Sequence, residues 1–120
     1  MSYNLVLDDE RNIQNIVEYT GNDWYNTKDW EIVRSFDDFC KIINDKGLPN
    51  IVSFDHDIAD FKNGNERSGK TAAQFMVDYC IDHNLDFPEY YVHSANPRGV
   101  DNIKGLIDDF IRKKKKGFFN

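Results

Sequence analysis

Three consecutive ionisable residues, Asp55, His56 and Asp57, follow a short apolar run in the middle of the chain. Carboxylates can bind a metal ion or a phosphoryl group, and an imidazole can exchange protons near neutral pH. In an extended strand, Asp55 and Asp57 would point to one side and His56 to the other. The chain leaves the strand here, so His56 is expected either to face a crevice or to pack against the sheet. Asp57 is expected either to contact a substrate or to shape the loop that does.

A second acidic group comes near the start of the chain, where Asp8 and Asp9 follow the apolar run of residues 4–7. If this run and the one before Asp55 form neighbouring strands, their carboxylates converge and repel one another unless they share a cation. Oxygen ligands suit a hard divalent ion, so Asp8, Asp9 and Asp55 are the predicted ligands of Mg²⁺ or of another divalent cation such as Mn²⁺. The alternative is that these acids are solvated loop residues, or that Asp8 caps the next helix.

A third polar cluster follows the apolar run of residues 89–92. His93 can act there as an acid or a base, and Ser94 and Asn96 can hold the oxygens of a phosphate group. The alternative is an ordinary polar turn, in which Pro97 holds Asn96 in an extended conformation. We favour the functional interpretation because one short turn carries all of these side chains.

Two arginines, Arg11 and Arg34, follow the first and second apolar runs. A planar guanidinium can bind phosphate through two parallel hydrogen bonds and would balance the acidic cluster. Both arginines are therefore predicted to contact the substrate. The alternative is a surface ion pair with Asp8 or Asp37.

The spacing of apolar residues predicts the elements that position these clusters. Four short apolar runs are predicted strands, and helical repeats lie between and after them. This alternation predicts one α/β domain over residues 1–120, with an open parallel sheet of about four strands and helices on both faces. Ligands bind such sheets at the carboxyl ends of the strands, where all of the polar clusters lie. The predicted strands are Asn4–Leu7, Trp30–Arg34, Ile51–Phe54 and Glu89–Val92; the predicted helices begin near Ile13, at Ser35, at Ser68 or Gly69, and near Gly99; residues 59–68 are predicted as a loop.

Composition limits the classes of function. A net charge of −6 and a pI near 4.9 disfavour a general nucleic-acid binder, because such proteins gain affinity by neutralising phosphates. The basic run from Arg112 to Lys116 is expected to close a helix, where cations offset the negative end of the helix dipole. No apolar stretch approaches the roughly 20 residues of a membrane span, and the first residues lack a signal-peptide pattern, so a soluble, cytoplasmic protein without a membrane partner is expected. Nothing in the sequence indicates an oligomeric state.

Three segments carry a resemblance to a known family. LDDER begins at Leu7, SFDHDI at Ser53 and VHSANPRG at Val92. With all three present, the sequence resembles the cyclic-phosphate processing receiver-like domain family, a divergent relative of response-regulator receiver domains. The resemblance implies a receiver-like (flavodoxin-like) fold, with the fifth strand missing or degenerate in this chain.

The same resemblance implies roles for individual residues. Asp8, Asp9 and Asp55 match the acidic residues with which receivers bind Mg²⁺ and accept a phosphoryl group, and Ser94 matches the small hydroxyl residue after the fourth strand. The chain departs from ordinary receivers in lacking a convincing fifth strand to carry their conserved lysine. It also differs from signalling receivers in having His56 and His93 beside the expected site, which the resemblance associates with hydrolysis of a small cyclic phosphate.

The leading hypothesis is a metal-dependent phosphoesterase that acts on a cyclic phosphate of a nucleotide-derived or ADP-ribose-like small molecule. Its predicted catalytic residues are Asp55, His56 and His93. One alternative is a non-enzymatic receiver-like module that binds a phosphate ligand or accepts phosphate on Asp55. A further alternative is a haloacid-dehalogenase-like phosphatase, because such enzymes carry an Asp-x-Asp motif like that of Asp55 and Asp57, although they carry it near the start of the chain.

Overall fold

The alternating apolar runs and helical repeats form a four-stranded parallel sheet flanked by helices. The computed structural model describes residues 2–119 of the chain. The strands are β1 (Asn4–Leu7), β2 (Glu31–Val33), β3 (Ile51–Phe54), β4 (Asp60–Lys62), β5 (Asn65–Arg67) and β6 (Glu89–Val92). The helices are α1 (Ile13–Thr20), α2 (Phe36–Lys46), α3 (Gly69–His83) and α4 (Pro97–Lys115), with a 3-10 helix at Asp23–Thr27.

The order of strands in the main sheet is β2-β1-β3-β6, and every neighbouring pair is parallel. This confirms the predicted α/β fold. Within residues 2–119 the main sheet has no fifth strand, so β2 and β6 form its two edges. Because all four strands run in one direction, the residues that follow each of them meet at one edge of the sheet.

The two faces of the sheet carry separate apolar clusters, as the alternation of side chains in a strand requires. Leu5 and Leu7 of β1 face a core to which α2, α3 and α4 all contribute. Val6, between them, packs with α1 and with Tyr25 of the 3-10 helix on the opposite face. The face toward α1 is therefore covered by one short helix and a five-residue 3-10 helix, and it carries the smaller of these two clusters.

Each of the four helices begins with a side-chain cap directly after the sheet edge or loop that precedes it. Asn12, Ser35, Ser68 and Asn96 each accept a hydrogen bond from a backbone amide in the first turn of the following helix. The predicted starts of α2 and α3 are confirmed. Helix α4 begins at Pro97 rather than near Gly99, because Asn96 caps it and proline suits a first helical position.

The predicted loop over residues 59–68 is wrong, since its central part forms an antiparallel hairpin of β4 and β5. Asn63 and Gly64 turn the hairpin with positive φ angles of 54° and 79°. An Asn-Gly pair is the usual sequence signal for such a turn. Asp60 of β4 accepts the amide hydrogen of Phe36 at 2.8 Å, and this bond joins the hairpin to the start of α2.

The basic run near the end of the chain lies in the last turn of α4, as predicted. Two of its members, Arg112 and Lys113, form ion pairs with Asp109, and Lys114 lies near Asp86. In residues 2–119, no helix has both the length and the apolar character needed to cross a membrane.

Candidate functional site

The predicted metal ligands come together at the carboxyl edge of the sheet. Asp8 follows β1 and Asp55 follows β3, and their strands are direct neighbours. Oxygen atoms of Asp8, Asp9 and Asp55 all lie within 4.8 Å of one another. Asp8 and Asp55 are buried, with 0% and 4% of their surfaces exposed, so neither is an ordinary solvated loop residue.

The carboxylate of Asp8 is surrounded by hydrogen-bond donors. Its Oδ1 accepts the backbone amides of Glu10 at 3.0 Å and of Arg11 at 2.8 Å. Its Oδ2 lies 3.0 Å from Nε2 of His93 and 3.3 Å from Nη1 of Arg11. Burial alone would raise the pKa of Asp8, but the hydrogen bonds from His93 and from the two amides lower it to about 2. Asp8 is therefore an ionised carboxylate at neutral pH.

The carboxylate of Asp55 has a different environment. Burial and the negative charge of Asp8 raise the pKa of Asp55 to about 6, although His93 and Arg11 act in the opposite direction. Its carbonyl oxygen lies where a Cβ on Gly69, the first residue of α3, would be only 2.0 Å away. Glycine at this position thus allows α3 to begin against the backbone of Asp55.

Arg11 lies between these two carboxylates. Its Nη1 is 3.5 Å from Oδ2 of Asp55 as well as 3.3 Å from Oδ2 of Asp8. The guanidinium also stacks over the ring of Tyr19, with its central carbon 4.2 Å from the ring centre. Arg11 forms the ion pair with Asp8 that was its alternative assignment, and it remains next to any ligand of the acidic cluster.

Arg34 supports the backbone of the first loop. Its Nη1 donates to the carbonyl oxygen of Asp8 at 3.2 Å and to that of Arg11 at 2.6 Å. The predicted alternative partner, Asp37, is instead paired with Arg67 of β5 at 2.9 Å. Arg34 is an exposed residue at the same sheet edge, where its contacts hold the loop that carries Asp8 and Arg11.

His93 is fully enclosed, and both of its ring nitrogens have partners. Nε2 contacts Asp8, and Nδ1 lies 2.7 Å from Oγ of Ser53 in β3. Ser53 in turn contacts the hydroxyl of Tyr25 at 2.9 Å. Ser53 and Tyr25 were not among the predicted site residues. A serine inside the apolar run Ile51–Phe54 was the available signal, because a buried hydroxyl needs a partner.

His56 and Asp57 form a second, more open pair. Nδ1 of His56 lies 2.8 Å from Oδ1 of Asp57, whose side chain is 58% exposed. The His56 side chain is 16% exposed and packs against Gly99 in the first turn of α4. A Cβ on Gly99 would come within 2.5 Å of the His56 ring, so glycine makes room for the imidazole. Within residues 2–119, Nε2 of His56 has no hydrogen-bond partner.

Ser94 and Asn96 take part in local turns. Oγ of Ser94 accepts the amide hydrogen of Asn96 at 3.2 Å, and Oδ1 of Asn96 accepts that of Gly99 at 3.1 Å. These contacts match the polar turn that was the alternative to phosphate binding. The hydroxyl hydrogen of Ser94 and the amide nitrogen of Asn96 are not used in them, so both can still donate to a ligand.

The acidic cluster fits a hard divalent cation by its chemistry. All three ligands are oxygens, and two of the three residues are buried. The raised pKa of Asp55 reflects burial first and then the negative charge of Asp8, which Arg11 only partly balances. Partial burial, followed by the charges of Asp8 and Glu10, also raises the pKa of Asp9. A cation bound by Asp8, Asp9 and Asp55 would relieve this repulsion. The arrangement can therefore hold an ion beside the guanidinium of Arg11 and the imidazole of His93, which suits chemistry on a phosphate group.

Comparisons with known proteins identify the family of this chain. A family model described as "Cyclic-phosphate processing Receiver domain" matches residues 3–109. Among solved structures, the chain is similar to the crystal structure of NtrX from Brucella abortus, with 18% sequence identity and a TM-score of 0.46. That match covers 98% of this chain and 28% of the NtrX chain, so this chain spans less than a third of the length of NtrX. No curated protein matches the chain.

Proposed function

Because the chain belongs to the cyclic-phosphate processing receiver domain family, we propose that it is a metal-dependent phosphoesterase. The proposed reaction is hydrolysis of a cyclic phosphate on a nucleotide-derived or ADP-ribose-like small molecule. The observation that carries the proposal is the meeting of Asp8, Asp9 and Asp55 within 4.8 Å, with Arg11 and His93 in contact with the cluster. When bound by these carboxylates, Mg²⁺ or Mn²⁺ would supply a Lewis acid that draws charge from the phosphoryl oxygens.

In this proposal Arg11 and Ser94 bind the non-bridging oxygens of the phosphate. Arg11 already lies between the two buried carboxylates, so its guanidinium is next to the position of a phosphate held at the cluster. The free hydroxyl hydrogen of Ser94 adds a neutral donor at the end of β6. Asn96 contributes through its side-chain amide nitrogen, since its oxygen is used to cap α4.

We assign proton transfer to His56. Its Nδ1 donates to Asp57, which leaves Nε2 free to accept a proton from an attacking water molecule. The water oxygen forms a bond to phosphorus, one ring oxygen leaves and takes up a proton, and the product is an open phosphate monoester. His93 was the other predicted proton carrier, but its side chain has no exposed surface and both of its nitrogens are occupied. We therefore assign it the role of holding Asp8.

The test is a ³¹P NMR assay of the purified protein with Mg²⁺ or Mn²⁺ and a panel of cyclic phosphates. The panel contains 2′,3′-cyclic and 3′,5′-cyclic nucleotides and a cyclic phosphate of ADP-ribose. Conversion of the cyclic resonance to that of a monoester is the expected result. No conversion across the whole panel, from protein that is shown to be folded, would overturn the proposal.

Two variants connect the activity to the site. His56→Gln should slow hydrolysis by about a hundredfold or more, because general-base catalysis contributes on that scale. His83→Gln is the matched control, since His83 is an exposed histidine late in α3 whose ring stacks on Tyr79 and whose Nδ1 lies 2.9 Å from the carbonyl oxygen of Tyr79 in the same helix. Equal activity of the two variants would remove His56 from the mechanism.

A second candidate function is phosphoryl acceptance by Asp55 without turnover of a cyclic phosphate. The observation in its favour is that Asp55 follows β3 with Asp8 and Asp9 beside it, the arrangement that the resemblance associates with receivers. Acetyl phosphate with Mg²⁺ should then add one phosphoryl group to the chain, and Asp55→Asn should abolish the addition. Intact-protein mass spectrometry would detect the change, and its absence in the wild type would exclude this candidate.

A further inference from the structure

A continuous row of buried hydrogen bonds leads to the acidic cluster from the face of the sheet that α1 covers. It runs from Tyr25 to Ser53 at 2.9 Å, from Ser53 to His93 at 2.7 Å and from His93 to Asp8 at 3.0 Å. None of the four residues is more than 3% exposed. They come from four separate parts of the fold, namely the 3-10 helix, β3 and the segments after β6 and β1. We call this row the Tyr25–Asp8 chain.

The positions of the hydrogen atoms determine which group donates in each hydrogen bond of the Tyr25–Asp8 chain. Both oxygens of Asp8 act as acceptors, since Oδ1 accepts two backbone amides and Oδ2 accepts the guanidinium of Arg11, so Nε2 of His93 donates to Oδ2 and carries a hydrogen. Nδ1 then accepts from the hydroxyl of Ser53, which accepts in turn from the hydroxyl of Tyr25. Burial raises the pKa of Tyr25, so its hydroxyl keeps its hydrogen. All three donors therefore point toward Asp8.

The reverse arrangement leaves a group unsatisfied. A hydrogen on Nδ1 of His93 would turn the Ser53 hydroxyl toward Tyr25. The Tyr25 hydroxyl hydrogen would then have no acceptor, because Ser53 is the only side chain that its oxygen contacts within residues 2–119. A buried donor without a partner costs about 1–3 kcal/mol. The two hydroxyls thus favour one tautomer of His93, the form with hydrogen on Nε2.

We propose that Tyr25 and Ser53 are positioning residues of the metal site, which hold His93 in its Nε2–H tautomer so that it orients Oδ2 of Asp8. This inference rests on the proposed function, since it takes Asp8 to be a metal ligand. Oδ1 of Asp8 is held by two backbone amides, whereas Oδ2 depends on side chains alone. The direction of Oδ2 is therefore the part of the ligand geometry that the Tyr25–Asp8 chain controls.

The test measures Mn²⁺ affinity by electron paramagnetic resonance, together with the ¹⁵N NMR shifts of the His93 ring. Ser53→Ala should weaken Mn²⁺ binding by about tenfold, and Tyr25→Phe by about two- to threefold because it acts one bond further away. The Nδ1 signal of His93 should move toward that of an unbonded nitrogen in both variants, and more in Ser53→Ala. Tyr3→Phe is the matched control, because its hydroxyl contacts the carbonyl of Gly47, away from the Tyr25–Asp8 chain.

The double variant separates positioning from general destabilisation. Once Ser53 is alanine, the Tyr25 hydroxyl can no longer reach His93, so adding Tyr25→Phe should not weaken Mn²⁺ binding further. Additive losses, an Nδ1–H tautomer in the wild type, or wild-type affinity in both single variants would overturn the inference. If Ser53→Ala does not fold, the Tyr25→Phe and Tyr3→Phe pair still decides it.

Failure of the inference can be distinguished from failure of the proposed function. Mn²⁺ binding that depends on Ser53 and Tyr25, in a protein that hydrolyses no cyclic phosphate, would overturn the hydrolase proposal and support the inference. Hydrolysis that is unaffected by either variant, with unchanged Mn²⁺ affinity, would support the hydrolase proposal and overturn the inference. A wild-type protein that binds no divalent cation would overturn both.

Discussion

The carboxylates at the ends of β1 and β3 are neighbours in space but have opposite environments. Asp8 accepts from two amides, one imidazole and one guanidinium, and its pKa falls to about 2. Asp55 is almost equally buried, yet Arg11 at 3.5 Å is the one side-chain donor that reaches its carboxylate within residues 2–119. The pKa of Asp55 rises to about 6 as a result of burial and of the nearby charge on Asp8.

This difference shows how an acidic site can have a fixed geometry and still favour the binding of a cation. The fold supports one carboxylate completely, so its geometry is set before any ligand arrives. The fold provides too little positive charge around the other carboxylate, Asp55, so its ionised form is unfavourable until a cation approaches. Perturbed groups of this kind are typical of functional sites, because the missing charge is what the ligand supplies.

The largest expected effect comes from neutralising each carboxylate in turn. Asp8→Asn should lower the free energy of unfolding by about 2–4 kcal/mol, because the asparagine amide has one acceptor oxygen and cannot accept all four hydrogen bonds. Its NH2 group would also place a donor where Asp8 now accepts one. Asp55→Asn should instead raise it by roughly 1–3 kcal/mol near pH 8 without metal, because a neutral amide removes the buried repulsion. Urea unfolding followed by circular dichroism measures both.

Opposite signs in these two variants would confirm the comparison. Asp82→Asn is the control for losing one negative charge, because Asp82 is exposed near the end of α3. Its change should stay within about 0.5 kcal/mol. If Asp8→Asn and Asp55→Asn shift stability in the same direction, the two environments are not opposed as the hydrogen bonds indicate.

The next effect is a dependence on pH that belongs to Asp55. Its pKa is raised from 3.8 to about 6 in the folded protein, so the fold favours the protonated form. The resulting stabilisation is fully present below about pH 4 and is lost as pH rises through 6. A pKa difference of this size corresponds to roughly 3 kcal/mol. The stability gap between Asp55→Asn and wild type should therefore be near zero at about pH 4 and reach its maximum by about pH 7.

The variant pair isolates Asp55 from the other titrating groups, which are common to both proteins. Asp8 has the opposite behaviour, since its lowered pKa contributes stability that is lost as pH falls below its ordinary value, and it cancels in the difference. Saturating Mg²⁺ should close the gap at high pH, because it stabilises the ionised wild type more than the variant. A gap that does not change with pH would show that Asp55 has an ordinary pKa.

The sequence was sufficient to predict the parallel sheet and the residues that meet at the carboxyl ends of its strands. Short apolar runs predicted β1 and β3 because nearly all of their residues are buried, and the run at β6 was found although that edge strand alternates exposed and partly buried residues. Parallel order then brought Asp8, Asp9 and Asp55 to one edge. It was insufficient for what distinguishes Asp8 from Asp55. That difference depends in part on His93, which reaches Asp8 only through packing between elements far apart in the chain. Linear spacing contains no information about such contacts.

The alternatives at single residues were equally hard to resolve from sequence. Arg11 was expected to bind either phosphate or Asp8, and its ion pair with Asp8 leaves the first possibility open because the guanidinium stays at the cluster. The sequence favoured His93 over His56 as the proton carrier, yet the His93 side chain is enclosed, whereas Nε2 of His56 has no hydrogen-bond partner within residues 2–119. Burial decides between such roles, and burial depends on neighbours that local patterns do not specify.

The smallest predicted effect concerns Arg11, whose guanidinium bridges the carboxylates of Asp8 and Asp55. A divalent cation held by Asp8 and Asp55 competes with this guanidinium for the same Oδ2 atoms. Arg11→Gln should therefore raise Mn²⁺ affinity, by about three- to tenfold, while it raises the KM for a cyclic phosphate because a donor to the phosphate is lost. Isothermal titration and steady-state kinetics measure the two effects separately.

Arg34→Gln is the matched control for this last prediction, because Arg34 carries the same charge nearby but donates to carbonyl oxygens rather than to carboxylates. If loss of charge alone increased Mn²⁺ affinity, both variants would gain equally. If Arg11 mainly supports Asp8, its replacement would weaken Mn²⁺ binding as a loss at the Tyr25–Asp8 chain does. Only displacement of Arg11 by the cation predicts tighter metal binding together with weaker substrate binding. That outcome would mean that one guanidinium balances Asp55 in the free protein and turns to the phosphate when the metal is bound.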